Sequence, residues 1–446
     1  MDETDKLKKR IKELEKALEK ERQEKEKIEK EFEEFKAKHN QTISKLREAL
    51  KIKTNKKEEP KPSGAKKGHK SYTRLIPERI DCIKVHNPKR CPHCKTKLGA
   101  TQEVRSRYVT DIKLTAKVKN TKHDIHRKYC KKCKKIVEPE VPNVLPHARF
   151  GLNLMLLIMY LRLGLRLPGN KVCEFLFTMY NLTISEGEIV HILKQLVIAF
   201  GDYYQYLEEL IKKAKVKHSD TTSWRINGKN YHAWVFVAAG VVLYKIRKRN
   251  NHKVALALFG RKSQKGNFLV VDRHSAFRTL AEKVGFLLQI CWSHLLRNSK
   301  DLAKNFGADG RYVHQKLKEV FAMATSLDHK GLPEQVEVLK AEIFLLTQRH
   351  YKSSTVRKFV NTLWKRDIES LFRFVTNPDI DPTNNISERE LRHLVLIRKI
   401  SNGSRSTRGA NASAILLSVT QTLRMNGKNV LEGLKDILNK PTTSGY

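Results

Sequence analysis

Apolar positions within residues 4–50 recur at alternating steps of four and three: Leu7, Ile11, Leu14 and Leu18, then Ile28, Phe32 and Phe35 in the same register. That spacing predicts a coiled-coil seam in a long charged helix over 1–50, weakened where Glu21 and Lys25 fall on seam positions. The expected consequence is a homodimer or higher homo-oligomer; the alternative is one solvated helix. Residues 51–74 abandon the pattern for Pro, Gly, Ser and nine basic side chains, Lys66 and Lys67 among them. Such a composition builds no core, so a flexible basic linker able to track phosphates is expected over 51–76. EVRSRYVTDIKLTAKVKNTKHDIHRKY then alternates like a β-hairpin, inside a unit expected over 77–148.

Helical periodicity takes over in 149–212. NKVCEFLFTMY followed by NLTISEGEIVHILKQL reads as helix, tight turn, helix, and Ser185 with Glu188 three residues on resembles a capping box. Two readings stay open. The pair is a helix-turn-helix for DNA, or its apolar helices pack on a neighbouring domain, which the scarcity of basic residues on the second helix favours. After Lys215 the texture becomes strand-like. A short run ends at Asp220, two apolar segments flank Ala-Ala-Gly in 231–246, FLVV leads to Asp272, and GFLLQICWSHLLRN passes from strand to helix. Helical sequence fills about 296–375. Strands before helices predict a mixed sheet flanked by helices, and a multidomain α+β chain.

The charge changes this picture. Lys plus Arg number 89 against 47 Asp plus Glu, a formal net charge of +42. Residues 1–50 are nearly balanced, so the excess lies in the rest of the chain. A surface so basic repels itself, and nucleic acid is the expected partner. The longest apolar run, LNLMLLIMYL, is too short to span a bilayer, so no membrane role is expected. Met1 opens directly into DETDKLKKR without a signal peptide, which fits a cytoplasmic, nucleoid-associated protein.

Four of the seven cysteines form two CxxC pairs, Cys91 with Cys94 and Cys130 with Cys133. Thiolates two residues apart share one tight knuckle, and two knuckles complete a tetrahedral structural Zn²⁺ site. Cys82, Cys173 and Cys291 are single, which speaks for metal-site usage rather than a disulfide framework.

Asp220 and Asp272 are both expected where strands stop. Carboxylates converging there repel unless a cation holds them. A third acid arriving from a helix would complete an oxygen set for Mg²⁺ or Mn²⁺. Glu388 is a candidate, on a helix expected to start with Asp381 as N-cap and Pro382 at its first position. Its plainer alternative is a salt bridge to Arg392 one turn later.

The segments HSDTTSW, GNFLVVDRHSAF, CWSHLLRN and DPTNNISERELRHLVLIRK resemble, in this order, the motifs of insertion-sequence-66 transposases, a family of DDE transposases. The resemblance extends from about residue 5 to about 440. It implies a ribonuclease-H-like core in two parts, 213–295 and 379–446, around a helical insertion at 296–378, with 379–446 carrying the glutamate helix. It implies Asp220, Asp272 and Glu388 as catalytic ligands of Mg²⁺, with His294, Asn384 and Asn385 as accessory residues. Arg389, Arg392, Arg398 and Lys399 are then placed for DNA phosphates, together with Lys66 and Lys67 of the linker. Two positions depart from the family pattern: Thr221 stands where a glutamate is usual, and Arg273-His274 where Gly-Tyr is usual.

The function so implied is cleavage of transposon ends and joining of their 3′-hydroxyls to target DNA. The partners are double-stranded terminal inverted repeats and target DNA. The alternatives are a catalytically silent, zinc-containing DNA-binding regulator and a two-metal nuclease without strand transfer.

Overall fold

A computed structural model describes residues 141–439 except 328, 330 and 331, and before them Lys16, Glu19, Arg22, Gln23, Lys30 and parts of 78–139. The chain divides into two units, Met1–Asp111 and Ile112–Tyr446. In the first, the five described residues before 31 are helical and exposed, and Arg90 and Lys97 form an antiparallel bridge. The seam positions of the expected coiled coil and the linker with Lys66 and Lys67 lie outside the described residues.

The second unit opens with a small hairpin, β1 (Lys128–Cys130) and β2 (Lys135–Val137). The hairpin expected over 103–129 falls mostly outside the described residues; of its described stretch 118–129, only Lys128 and Tyr129 are in a strand, β1.

The main sheet has five strands: β3 (Val216–Ile226), β4 (Lys229–Ala238), β5 (Val241–Arg247), β6 (Phe268–Val271) and β7 (Leu287–Ile290). Their order is β5-β4-β3-β6-β7. The first three are antiparallel, and β6 and β7 add in parallel, so the fold is mixed α+β. Ala-Ala-Gly forms the β4–β5 turn, where Ala239 and Gly240 both take positive φ. Two consecutive residues in that region match the right-handed twist of a hairpin.

Alternate residues face opposite sides, as a pleat requires. Trp234, Phe236, Leu243, Leu269, Val271 and Leu288 face one side, covered by α4 (Gly201–Lys213), α5 (His252–Phe259) and α6 (Ser275–Val284). Toward β3–β5 the other side meets α11 (Asn385–Ser401) and α12 (Thr407–Met425). These share a core with α1 (Leu152–Met159), α2 (Gly169–Tyr180) and α3 (Glu186–Ala199). Val270 and Ile290 instead meet a second core. It is built by α7 (Trp292–Asn305), α8 (Gly307–Ser326), α9 (Pro333–Gln348) and α10 (Ser354–Thr362), which runs on into a π-helical turn at Leu363–Asp367.

Ser185 and Glu188 close the capping box of α3. That helix buries Ile189, Ile192 and Leu196 in the core shared with α11, α12 and the β3–β5 side of the sheet, so the helical pair is packed against its neighbours there. The polar residues of α12 have a structural use. Ser418 Oγ accepts from Tyr244 N (2.8 Å) and Thr422 Oγ1 from Val242 N (3.0 Å), which covers the outer edge of β5. An uncovered edge would offer those amides to another chain.

Candidate active site

Asp220 does not end its strand. β3 continues six residues further to Ile226, because Trp224 and Ile226 still have a core to enter and β4 pairs the strand along its length. It is β6 that stops. The parallel register pairs Val216 with Phe268, Lys217 with Leu269 and His218 with Val270. Continued by two residues, it sets Asp272, the residue after β6, level with Asp220. Register neighbours on parallel strands point to the same face, so the two carboxylates share one side of the sheet.

Glu388 reaches that side from the first turn of α11. The helix begins at Asn385 with Asn384 as N-cap, later than Asp381-Pro382 suggested. Asn384 makes no side-chain cap because its amide is used elsewhere. It is fully buried, Nδ2 donates to Ser219 O (2.8 Å), Oδ1 lies 3.3 Å from His218 Nδ1, and its backbone N donates to Cys291 Sγ (3.1 Å). Its side chain thus ties the helix start to the residue before Asp220, and its backbone ties it to Cys291, just past β7. Glu388 N donates to Asn384 O, so the acid sits one turn above this anchor.

Asp220 feels the other two acids. Burial pushes the Asp220 carboxyl up to about 7, and the charges of Asp272 and Glu388 push the same way. The Thr221 amide, 2.7 Å from Asp220 Oδ1, and Arg297 act against them. Asp272 Oδ1 accepts from His274 N (3.0 Å), which turns the carboxylate back over its own loop.

Glu388 is not paired with Arg392. Its Oε1 lies 3.2 Å from His294 Nδ1 and its Oε2 3.8 Å from Arg297, both on α7. The His294–Glu388 approach is close in distance but wrongly angled for a hydrogen bond, and both atoms are buried without a partner. His294, Glu388 and Cys291 are the one described group of metal-capable side chains whose donor atoms lie within 4.8 Å of one another. Cys291 is the poorest donor of the three: burial raises its thiol, and its sulfur already accepts the Asn384 amide.

The donors fit a hard divalent cation. Glu388 Oε1 and His294 Nδ1 are orphaned, and two further carboxylates stand on the adjoining strands.

The other expected site residues divide. Arg389, Arg392 and Lys399 are exposed along α11, as is Asn385 at its start, and Arg389 leans on Glu390 at 3.5 Å. Arg398 turns inward to Thr222 and Ser223 of β3. Of the zinc set, Cys91, Cys133 and the side chain of Cys130 lie outside the described residues; Cys94 is exposed, its thiol 3.4 Å from Thr96 Oγ1.

Sequence reading missed Arg297 and the partners of Arg273. The first had a signal: in CWSHLLRN it follows His294 by three, one helical face. The second had none, since Arg273 meets Asp367, 94 residues away.

The mixed sheet thus carries Asp220 and Asp272 level on one face, the face to which the first turn of α11 brings Glu388. The family model described as "Transposase IS66 family" matches residues 147–412, more than half the chain and all three acids. The chain belongs to that family. It is 29% identical over 192 residues to the uncharacterized protein y4qI of Sinorhizobium fredii (strain NBRC 101917 / NGR234), covering 39% of this chain and 35% of that protein. With the uncharacterized protein y4hP of the same organism it shares 21% over 352 residues, 69% of this chain and 63% of the relative. The chain therefore spans less than two thirds of either relative. No helix among the described residues is long and apolar enough to cross a membrane.

Proposed function

We propose that this protein is a DDE-type DNA transposase that cleaves transposon ends and joins their 3′-hydroxyls to target DNA. The observation that carries the reading is the β3–β6 register, which sets Asp220 and Asp272 level on one face, with Glu388 near enough to raise Asp220. The strand order β5-β4-β3-β6-β7, three antiparallel and two parallel, supports a ribonuclease-H-like core.

Asp220, Asp272 and Glu388 would hold Mg²⁺ or Mn²⁺, with His294 beside Glu388. When bound, such ions polarise the scissile phosphate and make water or a 3′-hydroxyl nucleophilic at neutral pH. The chain's own residues do the rest. Asn384 fixes the glutamate helix against β3, and His294 and Arg297 orient the Glu388 carboxylate. The exposed Arg389, Arg392 and Lys399 meet DNA phosphates.

Cys91, Cys94, Cys130 and Cys133 are proposed to hold structural Zn²⁺. Supporting this, the Arg90–Lys97 bridge encloses the first pair and the β1–β2 hairpin the second. The N-terminal heptad pattern is proposed to pair protomers so that two ends meet in one complex.

The test is a strand-cleavage and joining assay on DNA from the element's ends. Mg²⁺-dependent nicking is expected, and joining of supplied 3′-hydroxyl ends distinguishes a transposase from a nuclease. Cleavage that persists undiminished in Asp220→Asn or Glu388→Gln protein would sink the proposal.

A further inference from the structure

The helical insertion carries a groove of about 460 Å³ along the outer side of α10 and its π-turn. Ser354, Arg357, Lys358, Asn361, Lys365 and Arg366 line it. These positions follow one helical stripe, at steps of three and four, while Val356, Val360 and Leu363 point into the insertion core. The four cations form two pairs eight residues apart, about 12 Å along a helix rising 1.5 Å per residue. All four are exposed. Among the described residues Arg357, Lys358 and Lys365 have no carboxylate at ion-pair distance, and the helix itself contains none. Only Arg366 has one, in Asp367.

The groove is rigidly referred to the candidate active site. Arg273, the residue after Asp272, lays its guanidinium over the ring of Phe359 on α10, 5.0 Å from the centroid. It also binds the fully buried Asp367 at 2.8 Å, and Arg278 of α6 reaches the other oxygen at 2.6 Å. The stripe therefore lies about one helix width, roughly 10 Å, beyond the loop that carries Asp272.

We propose that this face of the insertion binds the phosphodiester backbone of double-stranded DNA and holds the duplex beside the catalytic acids. Charge complementarity selects the partner. No apolar or aromatic side chain lines the groove, so it offers backbone contacts rather than base readout. The inference rests on the transposase reading for the duplex being substrate, while the binding itself can be measured apart from cleavage.

The experiment uses the full chain and fluorescence anisotropy with duplex DNA over a salt series. It compares wild type, Arg357→Gln/Lys358→Gln/Lys365→Gln, and a control neutralising the exposed Lys262, Lys283 and Lys428. Each phosphate contact contributes about 0.9 to the slope of log affinity against log salt. The triple variant is expected to lose about 2 to 3 from that slope and to bind at least tenfold more weakly near 0.1 M salt. The control should stay close to wild type. Asn361→Asp, one negative charge placed between the cation pairs, should weaken binding in the same direction. Thermal melts matching wild type establish that the variants fold.

Wild-type slope and affinity in the triple variant overturn the proposal, as does an equal loss in the control. If wild type binds duplex but never nicks it, the transposase reading falls and the groove stands. If wild type nicks and the triple variant binds as tightly, only the groove falls.

Discussion

His294 Nδ1 and Glu388 Oε1 face each other at 3.2 Å without a hydrogen bond, each buried and unsatisfied. Two such atoms side by side stand where the proposed cation would bind. Glu388→Gln is expected to abolish Mg²⁺-dependent nicking while leaving duplex binding within about twofold, since Glu388 contacts no phosphate and one charge changes little beside a net charge of +42. His294→Asn should weaken metal dependence, raising the Mg²⁺ needed for half-maximal nicking by about 10- to 100-fold, the usual effect of altering groups that orient metal ligands. A Mg²⁺ titration of nicking checks both. Unchanged metal dependence in His294→Asn would assign that histidine a packing role.

Asp367 is buried beneath Arg273, Arg278 and Arg366. Burial works against its charge, and the three guanidiniums outweigh burial, so the carboxyl stays below its ordinary range. Asp367→Asn leaves the arginines facing one another and is expected to cost about 3 kcal/mol. Limited proteolysis should then cut sooner within 296–378. The pH sign follows from a folded-state value below the unfolded one. The stabilisation is complete above the unfolded value, about 4, and is lost as pH falls through the folded one. The wild-type advantage over Asp367→Asn in thermal melts should therefore shrink in acid.

Lys217 is fully buried on the opposite side of β3 from Asp220. Its ammonium donates to Ala214 O and lies over the rings of Phe259 and Phe286, with no carboxylate partner among the described residues. Burial lowers it to about 8. A base depressed in the fold binds fewer protons there than in the unfolded chain between its two values. Wild-type stability should accordingly rise as pH goes from about 8 toward 10. Lys217→Met, similar in volume and uncharged, is expected to raise Tm by several degrees at pH 7, where the buried charge is present. The gain should narrow as pH rises through 9. A Tm gain independent of pH would show that packing, and not charge, is what Met improves.

These sites differ in how far the chain announces them. Asp272 was legible because FLVV is a continuous apolar strand with an acid at its exit, and Glu388 because of the Asn and Arg pattern around it. The position of Asp220 within β3 was not. Thr221–Arg225 read as a polar exit from the strand, yet β4 pairs them and Trp224 enters the core. The start of α11 was misplaced because Asp381-Pro382 is a sound local signal. A tertiary bond from Asn384 to Ser219 overrode it. Ser418 and Thr422 carry no signal of their own in the sequence, and only the edge of β5 that they cover explains them. Arg273 looked like a departure from family pattern; its partner lies in the insertion, beyond the reach of any window on the sequence.

Asn384 gives the sharpest separation between holding the site and doing chemistry. Its Nδ2–H meets the carbonyl of Ser219, directly before Asp220, while its backbone fixes the helix that brings Glu388. Asn384→Asp keeps the shape and removes that donor, setting a carboxylate oxygen against a carbonyl in a fully buried place. An unsatisfied buried polar pair costs about 1–3 kcal/mol, so Tm should fall by several degrees. Nicking should drop by about 100-fold, because a shift of the order of 1 Å in a reacting group has that effect. Asn384→Gln, which keeps the donor on a longer arm, should recover part of the activity at similar Tm. The measurement is a paired Tm and single-turnover nicking rate for the two variants. Full activity in Asn384→Asp with loss only in Asn384→Gln would mean that the side chain acts through bulk alone, and the positioning role would be withdrawn.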